Sequence, residues 1–407
     1  MRKLFYFLLA VVAIVLAACK DKNGPTPPPE DVFDIQITMV QSTKVAFTIT
    51  PIPNTKYDYW VVEQRYLTDD SSNPRTLQEA FEAQWASGGF TYDSYLSFAI
   101  TGSKTASWKG MDPNSDNYVI AYQCSEDNKL TILASKQVHT LYAGELHGEF
   151  SVGGGKKVHF SQGNLQHWWT PGGIGGSYWK FAETQYQIKG KDENEKISSN
   201  SLAATIDLFG WGTGSDEDNL WKTYTNDIAA YSTYHEWGDN PIKNGGDEAN
   251  LWRTLTVEEW VYLLCDRNNA ANLFGIGSVD GVYGIILLPD NWTTPTDVSF
   301  TTTGTTCDSD QYEDREKDHK TDNTYTSEQW EKMEDNGAVF LPAAGYRSGT
   351  TASGFGEYGN YWSSSRYGDT QAKELYFCIW SGGFWIHSAL DTTRDWGFSV
   401  RLVRDKE

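Results

Sequence analysis

Residues 32–145 alternate apolar and polar positions in short runs divided by turn residues. The runs 33–39, 44–50, 57–63, 95–100, 117–123, 129–134 and 137–141 each fit the period of two that turns one strand face inward. Seven short strands over this span predict an all-β sandwich. One stretch breaks the alternation. Thr76-Leu77-Gln78-Glu79 is a capping box, and Leu77, Phe81 and Trp85 recur at helical spacing, which predicts a short helix over one sheet edge.

The texture changes at 144–148. Beyond it, long loops rich in glycine and tryptophan separate a few short elements, and Trp168, Trp169, Trp179, Trp211, Trp221, Trp237, Trp252, Trp260 and Trp292 follow no period. The glycines at 144 and 148 mark a domain boundary and predict a joint open to mild proteolysis. Thr256-Val257-Glu258-Glu259 opens a helix with Trp260, Leu263 and Leu264 inward. Thr326-Ser327-Glu328-Gln329 opens another, with Trp330 and Met333 inward and Gly337 as its stop. The apolar run 285–288 reads as a buried strand.

The stretch 337–404 organises the second part. Gly359-Asn360-Tyr361-Trp362-Ser363-Ser364-Ser365 has the composition of a packing motif. The run 397–404 alternates as one strand, with Phe398, Val400 and Leu402 on one face and Ser399, Arg401 and Val403 on the other. Between them lies a hairpin: 374–380, a turn at Ser381-Gly382-Gly383, then 384–390. Its residues Phe377, Ile379, Trp380, Phe384, Trp385 and Ile386 do not alternate cleanly with polar ones. Such a strand is either buried on both sides or offers one face to a ligand.

Length allows two or three domains, and a formal charge of −21 argues against nucleic acid or an anionic membrane surface as partner. With 17 tryptophans and 37 glycines, the composition points to β-rich, loop-rich modules rather than helical bundles. Residues 1–18 read as a targeting signal: Arg2 and Lys3, an apolar run over 4–15, then Leu16-Ala17-Ala18-Cys19. This resembles the bacterial lipobox, which implies cleavage before Cys19, lipidation of its sulfur and a lipid anchor in the outer membrane, facing the cell surface. Pro25-Thr26-Pro27-Pro28-Pro29 makes the tether 19–31 semi-rigid. Cys124, Cys265, Cys307 and Cys378 form no CxxC; an exported chain could pair two of them, and the sequence does not choose which.

Two resemblances refine the picture. Met111-Asp112-Pro113-Asn114 before the Tyr118–Tyr122 strand is similar to the corner of fibronectin type III domains, so 32–145 is expected to be a fibronectin type III-like or immunoglobulin-like sandwich. Trp252-Arg253-Thr254-Leu255-Thr256-Val257-Glu258-Glu259-Trp260 resembles a helix start of the C-type-lectin-like fold in its formylglycine-generating-enzyme branch, with Thr254 as an extra residue. Glu236-Trp237-Gly238, Leu288-Pro289-Asp290-Asn291-Trp292, the run 340–347, Tyr361-Trp362-Ser363-Ser364-Ser365 and the run 397–404 resemble bacterial surface lipoproteins of the major-paralogous-domain type and the variable proteins of diversity-generating retroelements. The resemblance implies a multidomain chain whose α+β C-type-lectin-like domain, 147–407, displays a binding face on its last strands. The enzyme branch uses a cysteine pair near its end, where this chain has Cys378 alone, and the calcium-site motifs of sugar-binding lectins are missing. Adenine mutagenesis of Asn codons does not yield Trp, so either Trp380, Trp385 and Trp396 are fixed by a template or this chain is not diversified at all.

No catalytic, metal or cofactor motif accompanies the seven histidines. Cys378 and His387, on the two arms of the hairpin, are the one candidate dyad, and no orienting third group accompanies them. Asp308, Asp310, Glu313, Asp314, Asp318 and Asp322 interleave with Arg315, Lys317 and Lys320, which reads as a solvated insertion loop, not a calcium site; Asp216-Glu217-Asp218 is a second acidic loop. The candidate ligand-binding set is Arg366, Tyr367, Asp369, Trp380, Phe384, Trp385, His387 and Arg394, presented to an unidentified protein or glycan for adhesion. Two other readings stay open: an enzyme of the formylglycine-generating-like fold, and a structural pilus or adhesin subunit.

Overall fold

A computed structural model describes residues 33–169, 176–198, 204–215, 228–303, 322–380 and 383–406, with the backbone alone for Ala204 and Trp380. Strand outweighs helix, 42% against 17%, which makes the chain a β-rich multidomain protein. The tether, Cys19, Cys307 and both acidic loops apart from Asp322 lie outside the described residues.

The first unit contains β1 (Asp34–Val40), β2 (Lys44–Thr50), β3 (Asp58–Val62), α1 (Leu77–Ser87), α2 (Tyr92–Phe98), β4 (Lys104–Lys109), β5 (Asp116–Cys124) and β6 (Leu130–His139). They pair antiparallel as two sheets, β1-β2-β4 and β3-β5-β6. Val45, Phe47, Ile49, Val61, Val119 and Ala121 fill the space between. The expected capping box opens α1: Thr76 Oγ1 accepts from Glu79 N while Glu79 accepts from Thr76 N.

Three expectations fail here for identifiable reasons. Residues 95–98 of the run 95–100 belong to α2, whose start is capped reciprocally by Thr91 and Ser94, and only Ile100 makes a strand-like bridge, to Tyr57. The strand that completes the first sheet is β4, where only Ala106 and Trp108 turn inward between lysines, too weak a pattern to read. Lysines at both ends guard it as an edge strand. Finally, the helices cover a sheet face and not an edge. Phe81, Trp85 and Tyr95 pack on Val62, Ile120 and Tyr122, so β3-β5-β6 is apolar on both sides and the unit is not all-β. The runs 129–134 and 137–141 merge as β6, whose register slips past Leu133.

The boundary at 144–148 is not an open joint. Leu146 sits in the core of the second unit, and a Cβ on Gly148 would lie 2.1 Å from the Gly337 carbonyl. His147 Nε2 donates to the Asp335 carbonyl at 2.8 Å. The Asp335 carboxylate in turn accepts from Lys44 Nζ at 2.7 Å and Gln41 Nε2 at 2.8 Å, tying the first unit down. Arg404 lies 3.5 Å over the Tyr142 ring and 3.3 Å from Glu145.

In the second unit both capping boxes form as expected, and the strand Val282–Leu287 covers most of the apolar run 285–288. The aperiodic tryptophans find their explanation in the loops. Trp179, Trp211, Trp237 and Trp252 gather with Trp362 and Phe398 in one buried cluster. Three of the indoles donate to backbone carbonyls, two of them in loops: Trp252 to Gly245 at 2.8 Å and Trp362 to Phe209 at 2.7 Å, with Trp211 to Ser363 at 2.9 Å. A buried loop needs partners for its backbone, and an indole supplies one with a large apolar surface attached. The run 397–404 is not one continuous strand. Only Leu402–Asp405 forms a ladder, while Phe398 and Ser399 make single bridges to Phe209 and Tyr361. Both its faces are buried, and Arg401 meets neutral amides, Asn164 at 3.3 Å and Gln185 at 3.0 Å.

Candidate binding face

The last sheet has five strands in the order Thr351–Phe355, Ala344–Ser348, Tyr358–Tyr367, Gln371–Trp380, Gly383–Thr393. The expected hairpin is therefore present and longer than its sequence pattern. Because opposite residues in a ladder share a face, the register sorts the side chains. Leu375 lies opposite Tyr361, Phe377 opposite Gly359 and Ile386, and Ile379 opposite Phe384. These apolar side chains face inward and join Trp260, Leu263 and Leu264 in the largest core. Gly359 is required there: a Cβ would stand 2.0 Å from the Phe377 ring, which lies flat across the glycine.

The other face carries the next residues in alternation. Tyr358, Cys378 and Trp385 form one row, and Asn360, Tyr376 and His387 the next. Tyr346 and Trp396 extend this face at one side. The rings touch in sequence: Trp396–Tyr346 at 5.1 Å, Tyr346–Tyr358 at 5.8 Å, Tyr358–Tyr376 at 6.3 Å, Tyr376–Trp385 at 6.0 Å and Trp385–His387 at 4.7 Å between centroids. Every one of these side chains is half-buried, against complete burial of the opposite face. The Cys378 thiol is buried in this face, opposite Tyr358 on one side and Trp385 on the other in the ladder. The neighbouring Cys378 raises the Tyr358 pKa, and burial raises that of Tyr376. Both phenols therefore stay neutral hydrogen-bonding groups.

At the far end of the sheet Glu374 is fully enclosed between Trp362 and Leu390 in the ladder. Thr392 Oγ1 donates to it at 2.6 Å, yet loss of water pushes its pKa up to about 8.

The candidate residues do not form one site. Trp385 and His387 lie on the aromatic face. Arg366 and Tyr367 end their strand and Asp369 sits on the exposed turn beyond; Arg366 and Asp369 stand 3.7 Å apart, and Lys373 Nζ lies 4.1 Å over the Tyr367 ring. Tyr367 pairs with Gln371 and Trp385 with Cys378, so roughly 20 Å of strand separates the two groups. Phe384 and Arg394 are buried, 5% and 2% exposed. Phe384 is core; Arg394 donates to the Asp369 carbonyl and stacks over Trp211 at 5.6 Å, supporting the turn from below. The side chain of Trp380 lies outside the described residues. Tyr346, Tyr358, Tyr376 and Trp396 stand outside the candidate set, although period-two alternation against Phe377 and Phe384 places Tyr376 and Trp385 together.

Among the described residues no group of three or more His, Cys, Asp or Glu could hold a metal ion, and no helix is long and apolar enough to cross a membrane. Cys265 is disulfide-bonded, while Cys124 and Cys378 are buried thiols. No family model, curated protein or solved structure matches the chain.

Proposed function

We propose that the chain is a lipid-anchored surface protein that captures a protein or glycan ligand on the aromatic face of its last sheet. One observation carries the reading: a continuous, half-exposed band of Trp396, Tyr346, Tyr358, Tyr376, Trp385 and His387, backed by a fully buried apolar face. Rigid aromatics present large contact area at low entropic cost, and a ladder that fixes them in advance leaves little to order on binding.

Around that face the second unit is a C-type-lectin-like head and the first a fibronectin type III-like stalk. The strand orders β1-β2-β4 and β3-β5-β6 support the stalk reading, with the two helices standing where a further strand would follow β3. Lipidated Cys19 and the Pro-rich tether hold the stalk at the outer membrane.

The test is a protein and glycan array probed with the full chain, followed by oxidative footprinting with any captured ligand. Protection concentrated on Trp385, Trp396 and Tyr376 is the expected result. Protection elsewhere on the head, with these rings still reactive, overturns the assignment.

A further inference from the structure

The first unit contains a cavity that a spacer does not need. It measures about 520 Å³ and opens between β3, β4 and the two-helix insertion. Trp60 forms its wall with Phe90 and Trp108, whose ring centroids stand 5.0 and 5.1 Å from it. Phe98 stands at the mouth with 63% of its surface in water, the most exposed large apolar side chain among the described residues. Its helix neighbour Leu96 is exposed too. Apolar side chains left in water beside an aromatic cleft of this size mark a binding site more often than a packing fault.

The polar groups decide what fits. Asp58 lines the cavity and is itself over nine-tenths buried. One carboxylate oxygen accepts from Tyr59 N and the other from Tyr122 Oη, both at 2.8 Å. A carboxylate has about four acceptor sites, so half remain for a ligand. Lys104 supplies donors at the rim, and Ser97 Oγ, whose proton goes to the Asp93 carbonyl at 2.9 Å, can accept there. A cationic ligand would meet Lys104. An anionic one would meet Asp58 and a chain of net charge −21. A wholly apolar one would cover the carboxylate with nothing offered in return. What remains is a neutral ring with apolar faces and hydroxyl edges, able both to donate and to accept.

We propose that this cleft is a saccharide-binding site for a short neutral oligosaccharide, separate from the aromatic face of the head. The sugar ring lies against Trp60 and Trp108, its hydroxyls reach Asp58 and Lys104, and Phe98 closes over it. The stalk is then a second binding module, and the chain engages two ligands or two parts of one.

The test is calorimetric titration of the detergent-solubilised full chain with cellotetraose, maltotetraose, mannotetraose and chitotetraose. Saturable binding of at least one is expected. Phe98→Ala, at an exposed position with little packing to lose, should weaken it about tenfold, and Trp108→Ala at least as much. Trp385→Ala, on the head, should leave unchanged the binding component that Phe98→Ala and Trp108→Ala weaken. Failure of all four sugars to bind at ~10 mM overturns the proposal. So does binding unaffected by Phe98→Ala and Trp108→Ala, or loss of the component they weaken in Trp385→Ala, which would move the sugar to the head. Saturable uptake of an apolar dye that these two stalk variants abolish, with no saccharide competing, makes the cleft an apolar docking site and also overturns it.

Discussion

Replacing Glu374 by glutamine should stabilise the head, and only above the acid range. Glu374 is fully enclosed, and its pKa moves from 4.5 to about 8 because burial penalises the carboxylate more than the Thr392 hydrogen bond helps it. Between these values the folded state holds a proton that the unfolded state has released. Stability from this group is therefore complete below the unfolded pKa and is lost as pH rises toward the folded one. A tenfold change in proton affinity is worth about 1.4 kcal/mol, so the upper bound is roughly 5 kcal/mol; water penetration brings a realistic figure to about 2–4 kcal/mol. Glutamine keeps the shape and an acceptor for Thr392 and cannot ionise. Urea unfolding of both proteins at about pH 4, 6 and 8 is the assay. The difference should be near zero at the lowest pH and grow in favour of the variant as pH rises. Asp207, also fully enclosed and pushed up to about 6, acts in the same direction but cancels in the comparison. A difference independent of pH, or a variant less stable at about pH 8, would refute the reasoning.

The other predictions concern packing, the joint and the anchor. Gly359→Ala should lower head stability by about 1–3 kcal/mol, since the added methyl meets the Phe377 ring at 2.0 Å; an unchanged melting temperature would show the sheet yields there. Limited proteolysis should spare 140–150 in the wild type and cut it in Asp335→Ala, which loses the contacts to Lys44 and Gln41. Cleavage of the wild type at that joint would contradict the packing described. Cys19→Ala should abolish lipid labelling and release the protein from the membrane; unchanged retention would refute the lipobox reading.

What is legible in the sequence is whatever local chemistry decides. Capping boxes at Thr76, Thr256 and Thr326 place three helices because the cap is complete within four residues. The glycine turn places the hairpin for a similar reason. Helix α2 escapes notice because its cap, Thr91 with Ser94, lacks the Glu or Gln that usually marks a box. Strand β4 escapes it because an edge strand needs few apolar residues. The candidate site is half legible. Alternation is easiest to see between apolar and polar side chains, whereas the outer face is itself aromatic, so Tyr376 and Trp385 blur the pattern that sorts them from Phe377 and Phe384. The buried place of Arg394 depends on Trp211, far away in sequence, and no local pattern signals it.

The decisive measurement is thermal melting paired with ligand titration on Tyr376→Ala, Trp385→Ala, Phe384→Ala and Trp362→Ala. The first two rings are half-buried on the outer face, while Phe384 is core and Trp362 is enclosed, its ring centroid 4.5 Å from that of Phe398. Tyr376→Ala and Trp385→Ala should weaken capture of the ligand with the head still folded near its wild-type melting temperature. Phe384→Ala and Trp362→Ala should cost roughly 3–5 kcal/mol of stability. If Trp385→Ala melts as early as Trp362→Ala, or binds as tightly as the wild type, the aromatic band is packing and the ligand is held elsewhere.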